Sequence, residues 1–191
     1  MPCDFLPAQR ALLDATEHLI YTGGIHATGV DAIVRKSGIA RKTLYRHYPT
    51  KEALVEAALR RRDDRWMAWF IAATSGYTDP RARLLSCFDA LREWFASDGF
   101  HGCAFLNAAG EIGPATHPIR AVSRLHKRRL FEYVCTLTRE TGLAQPDEIA
   151  EEFLVLIDGA ISLALVFGDT HGADAAARSA QRLLRHIPVS S

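Results

Sequence analysis

Apolar positions along this chain recur at intervals of three and four, the period of helices packed on one side, and nowhere alternate as a half-buried strand would. Leu12, Leu13, Thr16, Leu19 and Ile20 make the first stripe after Pro7, and Gly23-Gly24 stops it. Val30, Ile33 and Val34 make a second. Ile39 and Leu44 continue the lining beyond Ser37-Gly38, where Gly38 can take positive φ at no steric cost. Pro49 disfavours helical backbone at Tyr48, and Thr50 is placed to N-cap a helix running from Lys51 to near Ala73. That helix buries Leu54, Ala58, Leu59, Trp66 and Phe70, with Arg60-Arg61-Arg62-Asp63-Asp64 expected as a mostly solvated face.

After a break at 74–80, Asp79-Pro80 opens a helix with the stripe Leu84, Phe88, Leu91 and Phe95. Residues 100–114 read as a short apolar helix interrupted by glycines. Its Asn107 and Glu111 must find partners or line a cavity, and Asn107 could equally brace a neighbouring turn. His117-Pro118 opens a long helix to about Glu140, carrying Val122, Leu125, Leu130, Tyr133, Val134 and Leu137. Asp147 precedes a further helix, and residues 153–167 within it are apolar on almost every side. A last Ala-rich helix spans 173–187. The expectation is an all-α protein of about nine helices.

A helix apolar all round in a globular protein must be covered all round, so a second copy of the chain is expected there. The last two helices are read as half of a dimerising four-helix bundle, with Phe153, Ile157, Ala160, Ile161, Ala164, Leu183 and Leu184 at the interface. Internal core is the alternative for these residues.

Composition is ordinary for a soluble globular chain, 48% apolar and 24% charged, with a net charge of +1 over 191 residues. The distribution changes the picture. Residues 1–51 hold seven Lys/Arg against four Asp/Glu, a net of +3, which leaves −2 for the remainder. Between Arg35 and Lys51 lie Arg41, Lys42 and Arg46 beside Lys36, with no acidic residue. A basic end on a slightly acidic body suits contact with DNA at one end.

The second short helix of this stretch turns Arg41, Lys42, Thr43, Tyr45, Arg46 and His47 outward, while Leu44 and most of Tyr48 belong to the core. Tyr45, Thr43 and Lys51 suit phosphate oxygens, and Arg41, Lys42 and Arg46 suit base edges. Thr28 either caps the helix that opens at Val30 or gives its hydroxyl to a phosphate. One helix-turn-helix reads only a few base pairs, so a two-fold dimer on a palindromic operator is expected.

No signal peptide and no apolar run long enough to span a bilayer are seen, so a cytoplasmic protein without membrane contact is expected. Cys3, Cys87, Cys103 and Cys135 are too widely spaced for a zinc site or a disulfide framework and read as small buried hydrophobes, Cys3 at the terminus apart. No metal and no cofactor are expected.

The run G-I-A-R-K-T-L-Y-R-H-Y-P-T-K-E-A-L at 38–54 resembles the recognition-helix signature of TetR/AcrR-type transcriptional regulators. The run L-L-D-A-T-E-H-L-I-Y-T-G-G-I-H-A-T-G-V-D-A-I at 12–33 is similar to that family's first helix, loop and second helix. Two positions depart from the pattern. Ala40 stands where a capping Ser or Thr is usual, and Lys42 where Gly is frequent.

The resemblance implies a three-helix DNA-binding domain at 1–51 and a helical ligand-binding and dimerisation domain at 52–191. It also implies a pocket in the second, drawing on Trp66, Trp69, Phe70, Phe88, Trp94, Cys103, Phe105, Leu106, Asn107, Glu111, Val122, His126 and Tyr133. Such a lining favours an apolar, ring-containing ligand oriented by Asn107, Glu111 or His126.

The function expected is a homodimeric, ligand-released repressor that is not an enzyme. One alternative is a metal- or thiol-responsive repressor using His101, Cys103, Glu111, His117 and His126, whose spacings match no ligand motif. A second is an enzyme built on Cys103 and a histidine, for which no oxyanion loop is visible.

Overall fold

The computed structural model describes residues 5–188, which form nine helices and no strand. They are α1 (Pro7–Gly23), α2 (Val30–Ser37), α3 (Arg41–His47), α4 (Lys51–Ala73), α5 (Pro80–Phe95), α6 (Ala104–Glu111), α7 (Pro118–Glu140), α8 (Pro146–Phe167) and α9 (His171–His186). Cys3 lies outside the described residues. Among the described residues, no helix is long and apolar enough to cross a membrane.

Local chemistry sets most helix ends. Gly38 closes α2 at φ 69°. The Thr50 hydroxyl accepts from Ala53 N at 3.0 Å at the start of α4, and Asp79 accepts from Ala82 N at 2.7 Å at the start of α5. α3 begins at Ala40 with no side-chain cap. α8 begins two residues earlier than expected, at Pro146, so Asp147 lies in its first turn beside Glu148, where carboxylates complement the helix dipole.

The chain divides into two compact units: one holds the chain up to Arg65 together with Ala104–His126, the other Trp66–Cys103 with Lys127–Ser191. The boundary expected after residue 51 therefore falls inside the first unit. The reason is that α4 contributes Leu54 and Ala58 to the same core as Leu12, Leu13, Ala15, Ile33, Leu44 and Tyr48. Each fully buried leucine in such a core contributes about 2 kcal/mol.

The charged run 60–64 is corrected as well. Arg60 and Asp64 are exposed, but Asp63 is 1% exposed, and Arg61, Arg62 and Arg65 converge on Glu17 of α1. The Arg62 guanidinium also lies 3.6 Å over the Tyr21 ring. Asp63 meets His126 of α7 through Nδ1 at 2.7 Å, and the Phe105 ring of α6 stacks on the imidazole with centroids 3.8 Å apart.

In the second unit α8 packs on α5 and α9. Phe88 of α5 meets Phe153 of α8 at 5.6 Å between centroids. Gly172 of α9 approaches so closely that a Cβ there would stand 2.7 Å from the Ala160 carbonyl oxygen. This packing corrects the expected interface: Phe153, Ile157, Ala160, Ile161, Ala164 and Leu184 are buried inside the protomer, and Leu183 is half-buried. The apolar residues that α8 leaves outside are Val155, Leu163, Leu165, Val166 and Phe167, with Val155 at 72% and Val166 at 74% exposure.

Removing one member of the buried Asp63–His126 pair costs the other a buried hydrogen bond. His126→Ala is therefore expected to lower the unfolding free energy by about 3 kcal/mol, measured by urea denaturation, whereas a surface histidine on α9 such as His186 should change it by less than about 0.5 kcal/mol.

Candidate nucleic-acid interface

α3 is only seven residues long, and its orientation comes from two side chains on one face: Leu44 is fully buried and Tyr48, at its C-cap, is 9% exposed. The opposite face carries Arg41, Lys42, Tyr45 and Arg46 exposed, with Thr43 and His47 half-buried. Arg35 and Lys36 stand exposed in the last turn of α2. The result is a cationic surface with one aromatic hydroxyl at its centre. Such a surface offers donors to phosphates and base edges in the major groove.

Three partners of this surface were not visible in the local pattern. Arg41 pairs with Asp31 of α2, whose hydrogen bond and charge raise the guanidinium pKa still further, so Arg41 is a permanent cation. Both groups are exposed, and an exposed pair of this kind is easily exchanged for another anion. Lys51 donates from Nζ to the Ile25 carbonyl at 2.7 Å, which leaves two ammonium hydrogens for other acceptors. Thr28 is 4% exposed, and its hydroxyl donates to the Gly24 carbonyl at 2.7 Å. The N-cap of α2 is Gly29, without a side-chain cap bond. Thr28 thus neither caps α2 nor keeps a free proton for a phosphate; it shapes the loop between α1 and α2.

The residues expected to line one pocket are distributed over both units. In the second, Trp66, Trp69, Phe70 and Trp94 gather with centroid separations of 4.9 to 6.1 Å, and Tyr133 meets both Phe70 and Thr74. Phe88 and Cys103 are buried in the same unit. In the first, Asn107 and Glu111 line a narrow cleft with Glu17, Tyr21 and Arg62, Phe105 covers His126, Val122 is core and Leu106 is exposed.

Glu111 itself accepts hydrogen bonds from the amides of Ile25 and His26, so it braces a turn. His101 and Cys103 belong to the second unit, and Glu111, His117 and His126 to the first. Among the described residues no group of three or more His, Cys, Asp or Glu could hold a metal ion. Burial pushes the Cys87 thiol up to about 12, far from a reactive thiolate.

A family model described as bacterial regulatory proteins, tetR family, matches residues 12–58. The chain is 24% identical over 168 residues to the HTH-type transcriptional regulator YjdC of Escherichia coli strain K12, covering 87% of this chain and 88% of that protein. It is 31% identical over 87 residues to the HTH-type transcriptional activator FasR of Mycolicibacterium smegmatis, covering 46% of this chain and 40% of that one. The solved structure of SCO4454, a TetR-family transcriptional regulator from Streptomyces coelicolor, matches with a TM-score of 0.88 at 26% identity, covering 95% of this chain and 96% of that one.

This chain belongs to the TetR family. The family match opens at Leu12 and closes at Ala58, the first and last residues of the buried cluster that seats α3. The TetR-type helix-turn-helix is therefore the packed object described above, and the protein is a DNA-binding transcriptional regulator.

Proposed function

We propose that this TetR-family regulator is a homodimeric repressor that binds a palindromic operator and is released by a small apolar or aromatic ligand. The observation that carries the reading is the surface of α3: Arg41, Lys42, Tyr45 and Arg46 face outward from a helix pinned by Leu44 and Tyr48. Arg41, Lys42 and Arg46 read base edges, with Arg41 exchanging Asp31 for the nucleic acid. Tyr45, Thr43 and Lys51 hold phosphates, His47 flanks them, and Thr28 supports the loop behind.

Two copies are brought together by the exposed side of α8, not by the side first expected. Val155, Leu163 and Val166 leave an apolar strip, and Gly159 between them has nothing within 4 Å of where a Cβ would stand, so a second helix can approach closely. In a two-fold antiparallel crossing near Gly159, Val166 of one protomer meets the level of Glu152 of its partner, and Leu163 the level of Val155. There an open groove is lined by Glu151, Glu152, Val155, Leu156, Ser179 and Leu183.

The tryptophan group of the second unit suits a ring-containing ligand. A ligand that prefers the released state tenfold weakens operator binding by about 1.4 kcal/mol, so induction requires substantially greater selectivity. The protein would act in the cytoplasm, and a promoter–reporter fusion distinguishes repression from the activation for which FasR is named.

A palindrome selected from random duplexes, followed by fluorescence anisotropy across a salt series, tests the DNA reading. Tyr45→Ala should weaken binding to all sequences alike, and Lys51→Ala should do so with a salt slope shallower by about one. Arg41→Ala should cost about 1–3 kcal/mol at one base position and relax preference there. Equal affinity of the wild type and a Tyr45→Ala/Lys51→Ala double variant would rule the assignment out.

The dimer is tested by sedimentation velocity. Val166→Glu should yield folded monomers, because Val166 is exposed in the protomer. Phe153→Ala should instead lower stability by about 3–5 kcal/mol through a core cavity. A Val166→Glu protein that remains dimeric contradicts the proposed face.

A further inference from the structure

The loop between α1 and α2 is held from three directions. Glu111, the last residue of α6, accepts from Ile25 N at 3.0 Å through Oε1 and from His26 N at 2.9 Å through Oε2. Lys51 at the start of α4 donates to the Ile25 carbonyl, and Thr28 donates to the Gly24 carbonyl. Gly24 sits at φ 88°, and a Cβ there would stand 3.1 Å from both carboxylate oxygens of Glu111. The loop backbone is thus shaped to admit this carboxylate.

The chemistry of the contact is demanding. A carboxylate can present one oxygen to each of two successive amides, whereas a side-chain amide in the same pose presents one oxygen and turns its own NH2 toward the other amide. Residues 24–28 lead straight into α2, which packs on α3, and Lys51 belongs to the helix that carries Leu54 and Ala58 into the same core. α6 is supplied by a stretch of chain that follows residues 66–103 of the second unit. A carboxylate from outside the helix-turn-helix therefore fixes the backbone that launches it.

We propose that Glu111 is a positioning residue for operator binding: its carboxylate holds the Ile25 and His26 amides so that α2 and α3 present Arg41, Lys42, Tyr45 and Arg46 in the register that one sequence requires. The inference rests on the DNA reading proposed above. When the contact is broken, the cationic surface still meets phosphates, but the alignment to base edges is lost.

The test compares wild type with Glu111→Gln in the full-length protein by three measurements: amide hydrogen exchange at Ile25 and His26, the Kd for the selected palindrome, and the Kd for an unrelated duplex. The expected result for Glu111→Gln is exchange at least about tenfold faster at one or both amides, a palindrome Kd weaker by about tenfold or more, and a Kd for unrelated DNA within about twofold of wild type. A role in folding alone would weaken both duplexes together and lower the melting temperature in proportion.

If Glu111→Gln does not fold, Gly24→Ala disturbs the same contact from the loop side and must reproduce the selective loss. Unchanged exchange, or an unchanged palindrome Kd with accelerated exchange, overturns the proposal, as does equal loss on both duplexes. Failure of the wild type to prefer any palindrome would instead defeat the DNA reading, while the exchange measurement would still decide whether Glu111 holds the loop.

Discussion

The burial of Leu44 and Tyr48 is the constraint on which the DNA-binding head depends. Seven residues with no side-chain cap cannot form a stable helix alone. α3 exists because these two side chains enter a core built by Leu12 and Leu13 of α1, Ile33 of α2, and Leu54 and Ala58 of α4. The same insertion that stabilises α3 turns Arg41, Lys42, Tyr45 and Arg46 outward. Stability and recognition are two faces of one packing event, and for this reason the family match coincides with the core.

Around that core, polar contacts between distant segments decide geometry. Glu17 collects Arg61, Arg62 and Arg65, binding α1 to α4. Asp63 and His126, both nearly inaccessible, bind α4 to α7 beneath Phe105. Buried pairs of this kind add little net stability over apolar packing, but they admit only one arrangement, because any other leaves a charge or a donor unpaired. They make the first unit specific more than strong.

What the sequence made legible was local. Helical stripes, the left-handed turn at Gly38, the caps at Thr50 and Asp79, the missing cap at Ala40 and the outward face of α3 all follow from residues within a few positions of one another. Thr28 reads as a cap or a phosphate donor, and the third option, a hydroxyl bonding back to the carbonyl of a glycine four residues earlier, was not visible in the local pattern.

The stripe of α8 that faces inward was not legible either. When every side is apolar, periodicity carries no phase, and only α5 and α9 choose Phe153, Ile157 and Ala164 over Val155 and Val166. The partners of Glu111 and of the run 60–64 were not legible for a related reason. They lie 44 to 86 residues away, and spacing along the chain says nothing about such pairs.

The central claim is that two copies of α3, each fixed by its own core, read one two-fold site. Hydroxyl-radical footprinting of the full-length protein on its selected operator tests this most directly. The account predicts protection that is symmetric about the centre of the palindrome, in two patches separated by about one helical turn or a multiple of it. A single patch on one half-site, or protection that follows no sequence, would contradict it.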